Sequence, residues 1–173
     1  MEEFDRAHRK QLRKIFNDPY KKNVHLYRDS GEEPISDTMK RMRWRAFGHM
    51  LRLDKRTPCQ QAMEYYFDVP NNAKKFPGRR RNTLPVVIDE DIKEAKQRDM
   101  AAAPQWLDLI NNENNEERKA ELIEEARCSI LPQNISKFEN FEDLIALRSH
   151  AGDRDEWKRI ADLICKTQAE GDE

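Results

Sequence analysis

The sequence predicts an all-α protein, an irregular helical bundle around a long central helix at about 35–53, with a basic loop and an acidic helical insertion. Three observations point there. Only five glycines occur in 173 residues, and the many Leu, Ala, Glu, Lys and Arg residues favour helices. Apolar residues recur at three- and four-residue steps along most of the chain. No segment shows the alternation of a convincing strand, and no internal repeat is present. The length suits one domain or a domain with an appendage. The expected parts are a basic helical region over 1–98, an acidic helical insertion over 99–137, and a C-terminal helical pair over 138–168 that packs back on the bundle.

The elements follow in order. Phe4, His8, Leu12, Ile15 and Phe16 predict an amphipathic helix ending before Pro19. Residues 17–34 read as loop or short turns, with Tyr20, Val24, Leu26 and Tyr27 as anchors. Pro34 or Ser36 opens the longest helix, which runs to about Leu53. Thr57, Pro58 and Gln60 form a start signal, a Thr cap with Pro at the first position and Gln three on, for a helix near 58–67. Residues 68–82 contain Pro70, Pro77, Gly78 and five basic residues and read as an irregular loop. Val87, Ile88, Ile92 and Ala95 predict a helix over 87–97, whereas 99–115 is weaker, with a short apolar piece at Trp106, Leu107, Leu109 and Ile110. Glu116 to about Cys128 reads as a charged surface helix that Pro132 ends. Asn140 caps a helix carrying Phe141, Leu144, Ile145 and Leu147. Asp153 and Glu156 form an acidic capping pair for the last helix, with Trp157, Ile160, Ala161 and Ile164.

The central helix carries the most information. At about 100° per residue its side chains separate into three groups. Ile35, Met39, Met42, Ala46, Met50 and Leu53 form one apolar seam; Trp44, Phe47 and Leu51 form a second. Two seams predict neighbours on two sides. Between them runs a basic stripe of Arg41, Arg45, Arg52 and Arg56, with Arg43 off its line. Gly48 sits in the stripe, where glycine costs roughly 1 kcal/mol against alanine. Either a crossing helix packs close at Gly48, or a phosphate backbone approaches between Arg45 and Arg52; the surrounding arginines favour the second. Trp44, Phe47 and Trp157 fit helix seams and are assigned to packing.

Charge is unevenly spread. Residues 1–81 hold 20 Lys and Arg against 11 Asp and Glu, and residues 82–173 hold 12 against 22. Such a split suggests a basic working face and an acidic region that docks, shields or solubilises. Arginine forks suit phosphate oxygens, and a stripe repeating by helical turns suits a rod-like polyanion. Lys74, Lys75, Arg79, Arg80 and Arg81 add a second cluster. Neither cluster is interleaved with stacking aromatics, so backbone binding is expected rather than base reading.

Other chemistry is excluded or weakly signalled. The glycines are too far apart for a P-loop or a dinucleotide fingerprint, and no cofactor motif is present. Asp89, Glu90 and Asp91 lie in the first turns of a helix, where the dipole favours acids, rather than in a metal cluster. His8, His25, His49 and His150 are dispersed, and Cys59 lacks a base. No catalytic residue and no metal ligand are assigned. Three cysteines without C-x-x-C predict a reducing compartment, and the Met1–Asp5 start has no apolar signal region. An intracellular location, nucleus or cytoplasm, is the expectation, with no membrane partner; the mean hydropathy of -1.05 agrees.

A family resemblance enters at these residues. Met42 to Leu53, with Arg41 before it, resembles the R-x-R-W-x-x-x-G-H-x-L-R segment found C-terminal to the reverse transcriptase core, on the thumb side, in non-LTR (LINE-like) retrotransposon proteins. Leu12-Arg13-Lys14-Ile15, Leu26-Tyr27 and Pro34-Ile35-Ser36 resemble that region's upstream run, and Gly78 to Pro85 its basic loop. Asp143-Leu144, Leu147-Arg148 and Ala151 to Trp157 resemble its tail. The blocks keep one order over about 1–98 and 138–165. Residues 99–137 look longer than the family's connection, and Gly152 stands where Gln is common. A Y-x-D-D polymerase motif, an endonuclease domain and a Cys/His knuckle are missing.

The resemblance implies a free-standing fragment that handles RNA or RNA–DNA hybrid without polymerase activity. With the stripe and loop it leads to one expectation: non-catalytic binding of an RNA or DNA backbone at Arg41, Arg45, Arg52, Arg56, Lys74, Lys75, Arg79, Arg80 and Arg81. Two alternatives stand beside it. One is a helical protein-interaction module whose basic half meets an acidic protein surface, and the other is a decayed retroelement fragment without selected function.

Overall fold

The structure, a computed structural model, describes residues 2–68 and 83–165. Among them are eight α-helices and no strand, so the fold class is all-α as the composition predicts. The helices are α1 (Glu2–Ile15), α2 (Asn23–Ser30), α3 (Ile35–Arg52), α4 (Pro58–Asp68), α5 (Leu84–Asn112), α6 (Glu116–Ser129), α7 (Phe141–Gly152) and α8 (Arg154–Cys165). The chain divides into two compact units, Met1–Ala46 with Cys165–Glu173, and Phe47–Ile164. No helix among the described residues is long and apolar enough to cross a membrane.

In the first unit α1 packs on α2. α1 ends as its sequence demands. Asn17 takes the left-handed conformation (φ 51°), Asp18 N–H donates to Arg13 O and Asn17 N–H to Lys14 O, which closes a Schellman turn before Pro19. Arg13 then fixes the connection, with Nε on Lys21 O at 3.1 Å and Nη2 on Asn23 Oδ1 at 2.7 Å. The stretch read as loop over 17–34 therefore contains α2, which Gly31 terminates at φ 68°. Its eight residues offer little periodicity to read. Asp5, buried on α1, accepts from Ser36 N–H at 3.0 Å, so one helix supplies a capping carboxylate to the first turn of another. Burial pushes the Asp5 carboxyl up, but the Ser36 hydrogen bonds and the charge of Arg9 outweigh it and hold the group below the usual carboxylate range.

α3 corrects two expectations. Its 18 residues are not the longest run, since α5 has 29. Its first apolar seam is not core: Met39 is 46% exposed and Met42 63%, Ala46 is exposed, and Ile35, Met50 and Leu53 are half-buried. Only the second seam, Trp44, Phe47 and Leu51, is buried. A helical wheel finds apolar faces, whereas burial requires a neighbour that reaches them.

The second unit holds the larger core. Phe47, Leu51, Met63, Ile88, Ile92, Ala95, Leu144, Leu147, Trp157, Ile160 and Ile164 are all buried. Phe47 meets Phe138 at 5.4 Å and Trp157 at 5.9 Å between ring centroids, and Phe67 meets Phe138 at 5.0 Å. Gly48 belongs to this cluster. A Cβ there would fall inside the Trp157 indole, so close packing and not phosphate approach accounts for the glycine.

α5 explains how irregular chain is held. Ile88, Ile92 and Ala95 face the core, while a polar row beside them grips 131–139. Asp89 Oδ1 accepts from Phe138 N–H at 2.8 Å, Lys93 reaches Glu139 at 2.8 Å, Lys96 donates to Pro132 O at 3.3 Å, and Asp99 Oδ2 accepts from Leu131 N–H at 2.9 Å. The helix continues through Pro104 to Asn112, beyond the 87–97 read from periodicity. α6 packs on α5, and Asn115 caps it.

The capping signals fare unequally. Asn140 and Asp143 form a full capping box on α7. Asp153 accepts from Asp155 and Glu156 N–H, but the Glu156 carboxylate turns to His150 Nδ1 at 2.7 Å instead of returning to the cap. At α4 the expected box does not form. The Thr57 hydroxyl donates to Asp54 O at 2.7 Å, and Gln60, 1% exposed, donates to Met50 O and accepts from Arg148 Nη2.

Candidate nucleic-acid interface

The predicted arginines differ in what they have left to offer a ligand. In the first unit, Arg41 is half-buried and its Nη1 lies 2.6 Å from Glu33 Oε2. Arg45, one turn on, is exposed and has no hydrogen bond or ion pair to another described residue. Arg43 is half-buried and engaged. In the second unit, Arg52 is exposed at the end of α3 and Nη1 donates to Ala151 O at 3.1 Å, satisfying one of the carbonyls that the end of α7 leaves open. Arg56 is exposed; its backbone N–H donates to Asp54 Oδ1 at 2.8 Å, and its guanidinium has no partner among the described residues. Lys74, Lys75, Arg79, Arg80 and Arg81 lie outside the described residues.

Of the predicted arginines, Arg45 and Arg56 thus have no partner among the described residues. Arg52 keeps part of its fork available, and Arg41 is neutralised by its own chain. Carboxylate competition at Arg41 lowers what a phosphate could gain there, because the Glu33 pair must first be broken.

Sequence reasoning missed a basic line on α1. Arg6, Lys10 and Lys14 are exposed and four residues apart, so they share one helix face. Lys10 and Lys14 have no partner among the described residues, and Arg6 meets only Glu2, at 3.8 Å in an exposed pair of little strength. The four-residue spacing was the available signal. Arg148 was also missed. It donates from Nη2 to Gln60 Oε1 and, at 2.9 Å, to Glu64 Oε1; no local pattern announces partners more than 80 residues away.

Two of the three acids read as a helix-start cluster have structural work, and the third, Glu90, is exposed. Asp89 holds Phe138 N–H and Lys93, and Asp91 is buried. Among the described residues no three His, Cys, Asp or Glu side chains are grouped to hold a metal ion. Comparison of the chain with protein-family models, with curated proteins and with solved structures gave no match.

Proposed function

We propose that the chain binds RNA or an RNA–DNA hybrid through the phosphate backbone, as a non-catalytic fragment of the retroelement kind its motifs resemble. The observation that carries this reading is a group of exposed cations with no partner among the described residues, including Lys10 and Lys14 on α1, Arg45 on α3, and Arg56. A cation already in a salt bridge gains little by exchanging one anion for another, whereas an unpaired one releases counterions from the nucleic acid on contact. The basic residues 74–81 strengthen the reading by charge alone: the net of +9 over residues 1–81 includes five positive charges from that segment. A backbone binder needs no base-reading aromatics beside its arginines, and none of the four cations requires one.

The test is fluorescence anisotropy of labelled single-stranded RNA, duplex DNA and an RNA–DNA hybrid at two salt concentrations. The chain is compared with Lys10→Ala/Lys14→Ala/Arg45→Ala/Arg56→Ala. Binding should weaken with salt, with a log–log slope of about 0.7 per contact on a single strand and about 0.9 on a duplex. The variant should lose affinity and slope together while staying helical. Absence of binding at low salt overturns the reading.

A second reading has one observation in its favour. Met39 and Met42 form an exposed apolar strip on α3, as expected of a helical protein-interaction module.

A further inference from the structure

In the second unit α4 packs on α7, and an open groove of about 460 Å³ is lined there by Gln61, Glu64, Tyr65, Phe67 and Phe141. Its size suits a single large side chain or small ligand. Its lining is unusual for solvent-facing surface. Tyr65 is 70% exposed and Phe141 44%, while Phe67 is held from behind by Phe138 in an edge-to-face contact. One carboxylate stands among these rings. Glu64 Oε1 accepts from Arg148 Nη2 at 2.9 Å, and Arg148 is itself fixed by the buried Gln60. The second oxygen of Glu64 has no partner among the described residues. The carboxylate is therefore held in place with an acceptor left open.

We propose that this groove takes the guanidinium of an arginine presented by a basic protein segment. Aromatic faces attract a cation through their quadrupoles, and a guanidinium also stacks flat and is weakly hydrated. The open Glu64 oxygen supplies the acceptor that a guanidinium fork needs. A neutral apolar side chain would cover that oxygen and give nothing in return. The unit as a whole carries 19 Lys and Arg against 22 Asp and Glu, a net of -3, so the preference for a cation rests on the rings and on Glu64. An unstacked base could also lie on Tyr65, but it brings no positive charge to set against the Glu64 carboxylate. The inference uses other residues than the nucleic-acid reading: none of Lys10, Lys14, Arg45 and Arg56 lines the groove, and its test reads Tyr65 and Phe141.

The experiment titrates the full chain into fluorescein-labelled hexa-arginine, hexa-lysine and a Gly-Ser peptide at about 0.15 M salt, where exposed charges more than about 8 Å apart are largely screened. Hexa-arginine should bind more tightly than hexa-lysine, and the Gly-Ser peptide should not bind. Tyr65→Ala/Phe141→Ala leaves the net charge unchanged and should weaken hexa-arginine binding by about tenfold, the effect of losing two exposed cation–π contacts. Tyr65→Phe keeps the ring and should retain the affinity, and both variants should keep the helical circular dichroism of the parent. Three results would overturn the proposal. One is no hexa-arginine binding. Another is equal binding of the two basic peptides with no loss in the double variant, which is attraction by charge alone. The third is a single-stranded oligonucleotide whose binding, rather than the peptide's, depends on Tyr65 and Phe141.

Discussion

The backbone of Gly48 lies directly against the Trp157 indole, with no space for a single carbon between them. Trp157 is 3% exposed and also meets Phe47, so it cannot swing into solvent without opening the aromatic cluster.

Gly48→Ala should therefore destabilise the protein even though alanine is the better helix former by about 1 kcal/mol. Overpacking of a core typically costs about 1–3 kcal/mol, and backbone against an indole leaves little to give. Urea denaturation of the variant measures the sign. Adding Trp157→Phe to Gly48→Ala should cost less than the two changes summed, because the smaller ring makes room for the methyl. An alanine variant more stable than the parent would mean that the contact is looser than described.

Arg148 joins α7 to α4 through Gln60 and Glu64. Arg148→Ala leaves the buried Gln60 carbonyl oxygen without its donor, at a cost of about 1–3 kcal/mol. Glu64→Gln keeps an acceptor for Arg148 and should cost less. Equal losses in the two variants, read from denaturation midpoints at constant slope, would point to charge rather than hydrogen bonding as the main contribution.

Asp5 gives the first unit a pH dependence of known sign. Its folded pKa lies below the unfolded value, which for Asp is about 3.9. The stability it contributes is therefore fully present above that value and is lost as pH falls through the lower, folded one. Asp5→Ala should cost about 0.5–2 kcal/mol at pH 7, the usual range for a capping side chain. The gap between parent and variant should close as the pH is lowered below 4. A gap that stays constant down to pH 2 would remove the Ser36 contact as its source.

Arg41 and Arg45 stand one turn apart on α3 yet should respond differently to substitution. Arg41→Ala breaks the Glu33 pair and should lower stability by less than about 1 kcal/mol, the range of a partly exposed salt bridge, with little change in RNA affinity. Arg45→Ala touches no partner among the described residues, so stability should hold while RNA affinity falls. Thermal melts and anisotropy on the same two variants check both halves, and the reverse assignment would sink the argument from pairing.

Local signals were the readable ones. The α1 periodicity and the Asn140 cap that opens α7 depend on residues within a turn or two of each other. The failures share a cause at longer range. α3 carries two apolar faces, and only a neighbour distant in sequence decides which is covered. Gln60 looked like a capping side chain until Arg148, 88 residues on, claimed it. At the candidate interface, residue type made the arginines visible, but their availability depends on Glu33 and on the Ala151 carbonyl. Pro104 hid the second half of α5, because a proline ordinarily argues for a helix end.

The bond from Leu131 N–H to Asp99 has one more consequence. It joins two points 32 residues apart in sequence, and Lys96 on Pro132 O tightens the same clasp. Everything between departs from and returns to a fixed stem, as a detour that rejoins the road where it left. Arg159 on α8 donates from Nη1 to Cys128 O at 3.4 Å, which ties the excursion to the rest of the unit close to where it rejoins the stem. A chain in which it is cut back to a short turn should still close the stem, and the excursion itself becomes a place where sequence can be added, removed or exchanged at low cost to the fold.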